Sequence, residues 1–254
     1  MVDHPVRRLT CRVVGLEDAT HDVRVVRLEI IAGGPFRFAA GQYASVTFDA
    51  LAPRDYSMAN RPDEAMLEFH VRHMQDEGAS GFVASKLRLG DTVKVEGPYG
   101  EAWLRQDHAG PILAIAGGSG LAPIKSIVET ALAAGMRQDI HLYFGGRDET
   151  DLYLEEHFRA LARIHPNLRF VPVLSNPGTA AARRSGLLSD AIGEDFAGFE
   201  RVKAYIAGPP LLVETVAEML ARRGLGRGDI HADPFWTEAE KAARGGGPYT
   251  HSRA

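Results

Sequence analysis

The rhythm of apolar residues changes character once along this chain, near residue 105, and that change constrains the fold more than any other feature. From 8 to about 100, the segments LTCRVVGL, VRVVRLEI, QYASVTF, MLEFHVR and DTVKVEG carry apolar and β-branched residues at period two, separated by turns rich in Gly, Pro, Asp and Asn. Successive side chains of a strand point to opposite faces, so each segment can bury one face and wet the other, which predicts an antiparallel β-barrel or sandwich. After about 110 the runs PILAIA, DIHLYFGG, LRFVPVLS, VKAYIAG and GDIHAD alternate with helical stretches over 122–134, 151–163 and 210–223, which predicts an α/β domain with a parallel sheet and crossover helices. In the first of those stretches Ile124, Ile127, Val128, Ala131 and Leu132 fall on one helical face, as a helix lying on a sheet requires. The expected division is a barrel over 1–106, an α/β domain over 107–236 with the junction in LRQDHAG, and a glycine-rich, polar, flexible tail over 237–254.

Bulk properties narrow the partners. A chain of 254 residues, 45% of them hydrophobic, can bury two ordinary cores, and a formal charge of −4 supplies no broad basic field, so neither nucleic acid nor an anionic membrane is the expected partner. A small molecule or a protein fits better. Cys11 is the sole cysteine, which excludes an intramolecular disulfide framework, a four-cysteine zinc site and a four-cysteine iron-sulfur cluster. Any iron-sulfur centre is therefore expected on another polypeptide. The opening MVDHPVRRLT lacks an apolar signal core and no apolar run approaches the roughly 20 residues of a membrane span, so the cytoplasm is the expected location. No metal is expected: His70 and His73, three apart on a strand-like segment, point to opposite sides. Nucleophile elbow, Walker loop and metalloprotease signatures are all absent.

Two short stretches carry candidate chemistry. AGGSGLAPIKS, 116–126, follows a buried strand and opens a helix, so its amides and the helix N-terminus converge where an anion would be stabilised. Gly118 and Gly120 stand as in a dinucleotide turn, but Pro123 occupies the third glycine position; within the first helical turn its missing N–H costs little. Taken alone, a tight strand-to-helix turn explains the glycines equally. The acidic ribose ligand of an ordinary dinucleotide fold is missing, since Gly145, Gly146, Arg147 and Asp148 stand at the end of the second strand. The second stretch, RDYSMAN at 54–60, places a cation (Arg54), a carboxylate (Asp55), an aromatic ring (Tyr56) and a hydroxyl (Ser57) within four residues. A flavin requires a cation for phosphate, a ring against its isoalloxazine and a donor near its redox nitrogen, although an ordinary polar strand end would read the same.

The order of the motifs resolves the choice. Arg-x-Tyr-Ser at 54–57, Gly-Pro-Tyr-Gly at 97–100, Gly-x-Gly-x-x-Pro at 118–123 and Gly-Pro-Pro at 208–210, each in its place across 8–236, resemble the ferredoxin-NADP reductase-like flavoproteins, and in particular reductase components of ring-hydroxylating oxygenase systems. That resemblance implies a flavin barrel followed by a nicotinamide-nucleotide domain. It implies that Arg54 binds a flavin phosphate, Tyr56 packs on the isoalloxazine, Ser57 hydrogen-bonds near flavin N5, and the backbone of His70, Val71 and Arg72 runs along the flavin. DEGASGF resembles the family's pyrophosphate turn with Ser80 and Gly81 in place, which favours FAD; Glu77 stands where a glycine is usual and Gly78 is displaced by one, which leaves FMN open. Gly118, Ser119, Gly120 and Pro123, with Gly208 and Pro209, are implied to receive the pyridine nucleotide. Ala207 replaces a cysteine common beside the nicotinamide, and Phe235 or Trp236 in HADPFW is implied to cover the flavin face.

NADH and NADPH both remain open. Ser175 and Asn176 after the third α/β strand are neither acidic nor cationic, while Arg147, Arg183 and Arg184 are candidates for a 2′-phosphate; the resemblance tilts the expectation to NADH. The expected activity is hydride transfer from NAD(P)H to flavin, with electrons passed on to a separate ferredoxin or oxygenase component. Two alternatives stand beside it: a flavin reductase that releases reduced flavin, and a flavin-binding redox-sensing module, which Ala207 motivates.

Overall fold

The computed structural model describes residues 4–74, 78–176, 183–237 and 240; the remainder of the expected tail lies outside the described residues. In the first half β1 (Arg7–Asp18), β2 (Val23–Ala32), β3 (Tyr43–Phe48), β4 (Arg54–Ser57), β5 (Met66–Arg72) and β6 (Thr92–Tyr99) form one antiparallel sheet in the order β4-β3-β6-β1-β2-β5. The sheet curls until its edges meet, where Met58 bridges Phe69 and the Ala59 N–H donates to the Glu68 carbonyl at 2.8 Å. The expected barrel is therefore present as a near-closed one, and closure hides most of an edge that would otherwise offer unpaired backbone groups. Leu28, Phe48, Met58, Phe69 and Val93 fill its interior. A short helix, α1 (Ala79–Ser85), follows β5; two turns inside a polar stretch carry too little periodicity to be read from sequence.

The second half is the expected parallel sheet. β7 (Ile112–Gly117), β8 (Ile140–Gly146), β9 (Leu168–Leu174), the two-residue β10 (Arg184–Ser185), β11 (Lys203–Gly208) and β12 (Ile230–Pro234) lie in the order β10-β9-β8-β7-β11-β12. Among the described residues, α2 (Leu121–Ala133), α3 (Glu155–Ile164), α4 (Leu188–Asp195) and α5 (Pro210–Arg222) accompany it. The five apolar positions of α2 read from its spacing are all buried against the sheet. Two readings needed correction. The helix expected over 151–163 starts at Glu155, because the chain first makes a short turn at Glu149–Asp151 and Leu154 adopts φ 55°. No helix was expected at α4, whose two turns contain Gly193 and three acidic residues.

Strand order decides where ligands can sit. The chain runs outward from β7 through β8 and β9, then returns to place β11 on the other side of β7. Helices leaving β7 and β11 therefore diverge, and the crevice outside the carboxyl ends of these two strands is the topological switch point at which open α/β sheets bind ligands. Gly118–Gly120 and Gly208–Pro210 stand at that point.

A feature on the far strand makes stability pH-dependent. His231 on β12 stacks on Tyr205 at 5.1 Å between ring centroids, and its Nε2 is buried without a hydrogen bond. Burial, reinforced by Arg105 and Lys203, pushes its pKa down to about 4, and burial likewise lowers His70 and His141. A histidine lowered in the fold takes up its proton more readily when unfolded, so the stability it contributes is present above about pH 6.5 and lost as pH falls toward 4. The melting temperature should thus fall by several degrees between pH 7.5 and 5. His231→Phe, which keeps the stacking and removes the titration, should shrink that fall; an unchanged fall would remove His231 from the account.

Candidate active site

The carboxyl end of the parallel sheet faces the barrel across a cavity of about 570 Å³, lined by Gly118, Gly145, Ser175 and Pro209 from the α/β side and by Asp22 and Arg72 from the barrel. Gly118 takes φ 53° and presents its bare Cα to the cavity; the nearest atom to a Cβ built there is Arg72 Nη1, at 3.4 Å. Arg72 leaves the end of β5 with Nε donating to Asp22 at 2.7 Å. Its backbone was expected beside the flavin; what the fold shows is its guanidinium reaching the Gly118 loop across the domain boundary. Gly120 packs on β11, Pro123 is buried inside the first turn of α2, and Pro209 and Pro210 start α5 with the fixed φ that a helix start favours.

The Arg-x-Tyr-Ser motif forms β4. It pairs with β3 in the register Ala44↔Tyr56 and Tyr43↔Ser57. Arg54, Asp55 and Tyr56 are half-buried, and Ser57 is buried. Tyr56 packs edge-on against Phe48 at 6.1 Å, which fixes its ring to the barrel wall. Behind them the Gly-Pro-Tyr-Gly segment ends β6, where Tyr99 packs on Tyr43 at 5.7 Å. Ser80, in α1, and His73 border a second cavity of about 300 Å³ against β2, and the Ser80 hydroxyl accepts the Met74 N–H at 3.3 Å. Gly81 lies within the same helix.

Sequence reasoning passed over an acid in the segment it quoted. Asp233, near the end of β12, is buried, and the Ser57 hydroxyl points at its Oδ2 from 3.4 Å. A carboxylate from the last strand thus stands directly behind the hydroxyl of the Arg-x-Tyr-Ser motif, 176 residues away in sequence. Beyond it, the Phe235 N–H donates to the Gly208 carbonyl at 2.9 Å, and the Phe235 ring packs against the α2 side of the α/β core. Trp236 follows, partly exposed. Ala207 is buried in β11 beside Asp233 in register.

The two halves are locked together by a buried polar network. Glu68 of β5 meets Arg27 at 2.8 Å, Lys125 of α2 at 3.3 Å and His70 Nε2 at 3.3 Å, while Lys125 also reaches Glu129 at 3.2 Å and the Ala59 carbonyl at 3.2 Å. His70 Nδ1 lies 2.8 Å from the Tyr153 hydroxyl. Burial pushes His70 down against the pull of Glu68, and burial pushes Tyr153 well up, so the pair is a neutral imidazole and an intact phenol. The partners then assign the tautomer: Nε2–H donates to Glu68 and Nδ1 accepts from Tyr153. Burial would raise the Glu68 carboxyl, but the His70 hydrogen bond, Lys125 and Arg27 outweigh it and hold Glu68 well below the usual carboxylate range. Ser126 completes the seam by donating to the Asn60 carbonyl at 2.7 Å. The side chain of His70 therefore serves the domain seam, and no group of metal-ligating residues occurs among the described residues.

Whether these residues fit a flavin and a nicotinamide nucleotide can be read from the arrangement. On the barrel, a cation, a ring held edge-on and a buried hydroxyl follow one another along a single strand, the row a flavin needs. On the α/β side, a glycine whose Cβ position is approached only by the end of Arg72 lies at the switch point of a parallel sheet, beside a cavity of about 570 Å³, the size class of small-molecule sites.

Comparison with known proteins agrees. Residues 10–103 match the oxidoreductase FAD-binding domain and 114–218 the oxidoreductase NAD-binding domain. The chain is 43% identical over 236 residues to the ferredoxin–NAD(P)+ reductase component of the naphthalene 1,2-dioxygenase/salicylate 5-hydroxylase systems of a Ralstonia species, covering 93% of this chain and 71% of that protein. It is 39% identical, with the same coverage, to the corresponding component of the naphthalene 1,2-dioxygenase system of Pseudomonas putida. Among solved structures, the Amycolatopsis cytochrome P450 reductase GcoB superposes with a TM-score of 0.87 at 37% identity, over 94% of this chain and 72% of that one. No described helix is long and apolar enough to cross a membrane. With both domain models matched in order and relatives of this identity, the chain belongs to the FAD- and NAD-binding oxidoreductases of the ferredoxin–NAD(P)+ reductase type.

Proposed function

We propose that this protein takes a hydride from NAD(P)H onto FAD at the seam between its two domains and hands the electrons to a separate ferredoxin or oxygenase component. The observation that carries this reading is the contact of Ser57, on the Arg54–Ser57 strand of the barrel, with Asp233 on the α/β strand that runs beside Gly208, while Arg72 of the barrel reaches Gly118 at the switch point. FAD, when bound, accepts two electrons as hydride and releases them singly, which is the conversion an iron-sulfur acceptor requires. The division of the chain at 106/107 follows the same logic, with the barrel carrying the flavin.

On this reading Arg54 holds a flavin phosphate, and Asp55 borders that site from the same strand. Tyr56, its ring fixed by Phe48, lies against the isoalloxazine. Ser57 presents its hydroxyl near N5, and Asp233 behind it fixes the hydroxyl's orientation and would receive the proton that leaves N5 when the electrons pass on. His70 and Val71 lend backbone groups, and Ser80 and Gly81 border the flavin pyrophosphate. Gly118, Ser119, Gly120, Pro123, Gly208 and Pro209 receive the pyridine nucleotide, with Arg72 reaching its phosphates from the barrel. Phe235 and Trp236 close the site from the C-terminal side. Ala207 leaves the burden of catalysis on positioning, which alone can supply much of the barrier reduction in a hydride step.

Asp233→Asn keeps the shape and removes the carboxylate; flavin reduction by NAD(P)H, which needs no separate proton at N5, should change by less than about threefold, whereas ferredoxin-linked reoxidation, in which that proton must leave, should slow about 10-fold or more with flavin still bound. The function itself is tested by supplying FAD-loaded protein with a one-electron ferredoxin and, separately, with free flavin. Rapid ferredoxin reduction with FAD retained is expected. Strong turnover of free flavin with FAD readily lost would instead identify a flavin reductase.

A further inference from the structure

The nucleotide cavity runs from Gly118 past Gly145 and Gly146 to Ser175 and the start of α4, so the adenosine end of a dinucleotide held at Gly118 must lie at this outer rim. There the backbone itself brings the loops together: the Ser175 N–H donates to the Gly146 carbonyl at 3.0 Å, and the Asn176 N–H to the Arg147 carbonyl at 2.7 Å. Whether an adenosine 2′-phosphate is welcome depends on the charges these loops carry.

Each arginine near the rim is already engaged. Arg147 is held by Asp151 through Nε at 3.0 Å and Nη2 at 3.2 Å, and its backbone N–H donates to the same carboxylate at 2.8 Å. Arg183 is shared by Glu149 at 2.8 Å and Glu155 at 2.6 Å, and Glu155 is engaged by Arg159 as well. Arg184 is held by Asp195 and Glu194 of α4 and also donates to the Ala191 carbonyl at 2.8 Å. Asp148 adds a further carboxylate, spent on capping the Thr150 N–H at 2.9 Å. On the 147–159 segment and Arg183 together, five carboxylates (Asp148, Glu149, Asp151, Glu155, Glu156) thus stand beside three guanidinium groups (Arg147, Arg159, Arg183).

Exposed ion pairs are individually weak, so an arginine could in principle swing to a phosphate. The exchange gains nothing here. Moving Arg147 or Arg183 to a 2′-phosphate strips a carboxylate of its partner and leaves it beside a dianion, replacing one ion pair by another and adding a like-charge contact. A 2′-hydroxyl carries no such penalty and finds neutral polar groups in Ser175 and Asn176.

Resting on the reading of the cavity as the pyridine-nucleotide site, we propose that this protein selects NADH over NADPH by exclusion, the 2′-phosphate being rejected by a rim whose arginines are neutralised in advance, with Glu149 a specificity-determining residue. The test is titration calorimetry of FAD-loaded protein with NAD+ and NADP+, alongside steady-state turnover of the reduced forms. NAD+ should bind at least about tenfold more tightly, and the preference should appear in KM more than in kcat. Glu149→Lys, on a half-exposed side chain, removes one of the two carboxylates that hold Arg183 and adds a cation; it should tighten NADP+ at least about fivefold and move NAD+ by less than about threefold. Equal or tighter binding of NADP+ by the unaltered protein, or a Glu149→Lys variant that gains nothing for NADP+, overturns the proposal. Because binding is read directly, a preference for NAD+ without flavin reduction would support the proposal and count against the hydride reading alone, whereas binding of neither nucleotide would overturn both.

Discussion

Gly120→Ala should lower kcat/KM for the pyridine nucleotide by about 100-fold or more while the flavin stays bound, because a displacement of about 1 Å in a positioning element can cost that much. Gly120 has φ −59°, a conformation open to any residue, so its requirement for glycine is a matter of space. A Cβ there would stand 2.2 Å from the Ala207 carbonyl oxygen and 2.6 Å from the Gly208 nitrogen, both backbone atoms of β11. The loop and the start of α2 would have to lift off the sheet at the point where nicotinamide must approach the flavin. Gly118 provides the contrast. Its φ of 53° penalises a side chain by about 1–2 kcal/mol, but a Cβ there meets only the end of Arg72 at 3.4 Å. Gly118→Ala should therefore cost about 10-fold, on the nucleotide side alone. Stopped-flow reduction of the FAD-loaded variants separates the two, and equal losses, or loss of flavin from either, would show that the loop does not act as described.

Lys125→Met should be the most destabilising change at the domain seam, by about 3 kcal/mol, because it leaves buried carboxylates without a shared cation. The side chains of Lys125, Glu68 and Glu129 are 12%, 13% and 11% exposed, so water cannot replace the lost charge. Since the seam fixes the barrel against the α/β domain, flavin reduction should slow as well, with the flavin retained. Lys125→Met combined with Glu68→Gln should recover part of the stability, as removing both members of a buried pair is less costly than removing one. A single variant within about 0.5 kcal/mol of the parent protein, the scale of an ordinary surface change, would mean that the network carries no weight.

The two domains and their order were legible because periodicity survives in elements of ordinary length: β1, β2 and α2 each bury the face that their spacing assigns. Short elements were not. α1 and α4 make two turns each, and their apolar positions gain meaning only from the surfaces they cover. In the site, Arg54–Ser57 and Gly118–Pro123 could be found because each concentrates its chemistry within a few consecutive residues. Asp233 and the Glu68–Lys125 and His70–Tyr153 contacts join residues from 57 to 176 positions apart, and no local pattern marks such partners before the fold brings them together. Arg147 and Arg183 show the converse: a sequence displays cations without the carboxylates that silence them.

In the proposed reaction a hydride crosses from a nucleotide on the Gly118 side of the seam to a flavin on the barrel. Anaerobic titration of the FAD-loaded protein with NADH tests this most directly. One equivalent of nucleotide should bleach one equivalent of flavin, and adding an oxidised ferredoxin should restore the colour. Protein that fails to bind FAD, or bound FAD that keeps its yellow absorbance in excess NADH and NADPH, would contradict it.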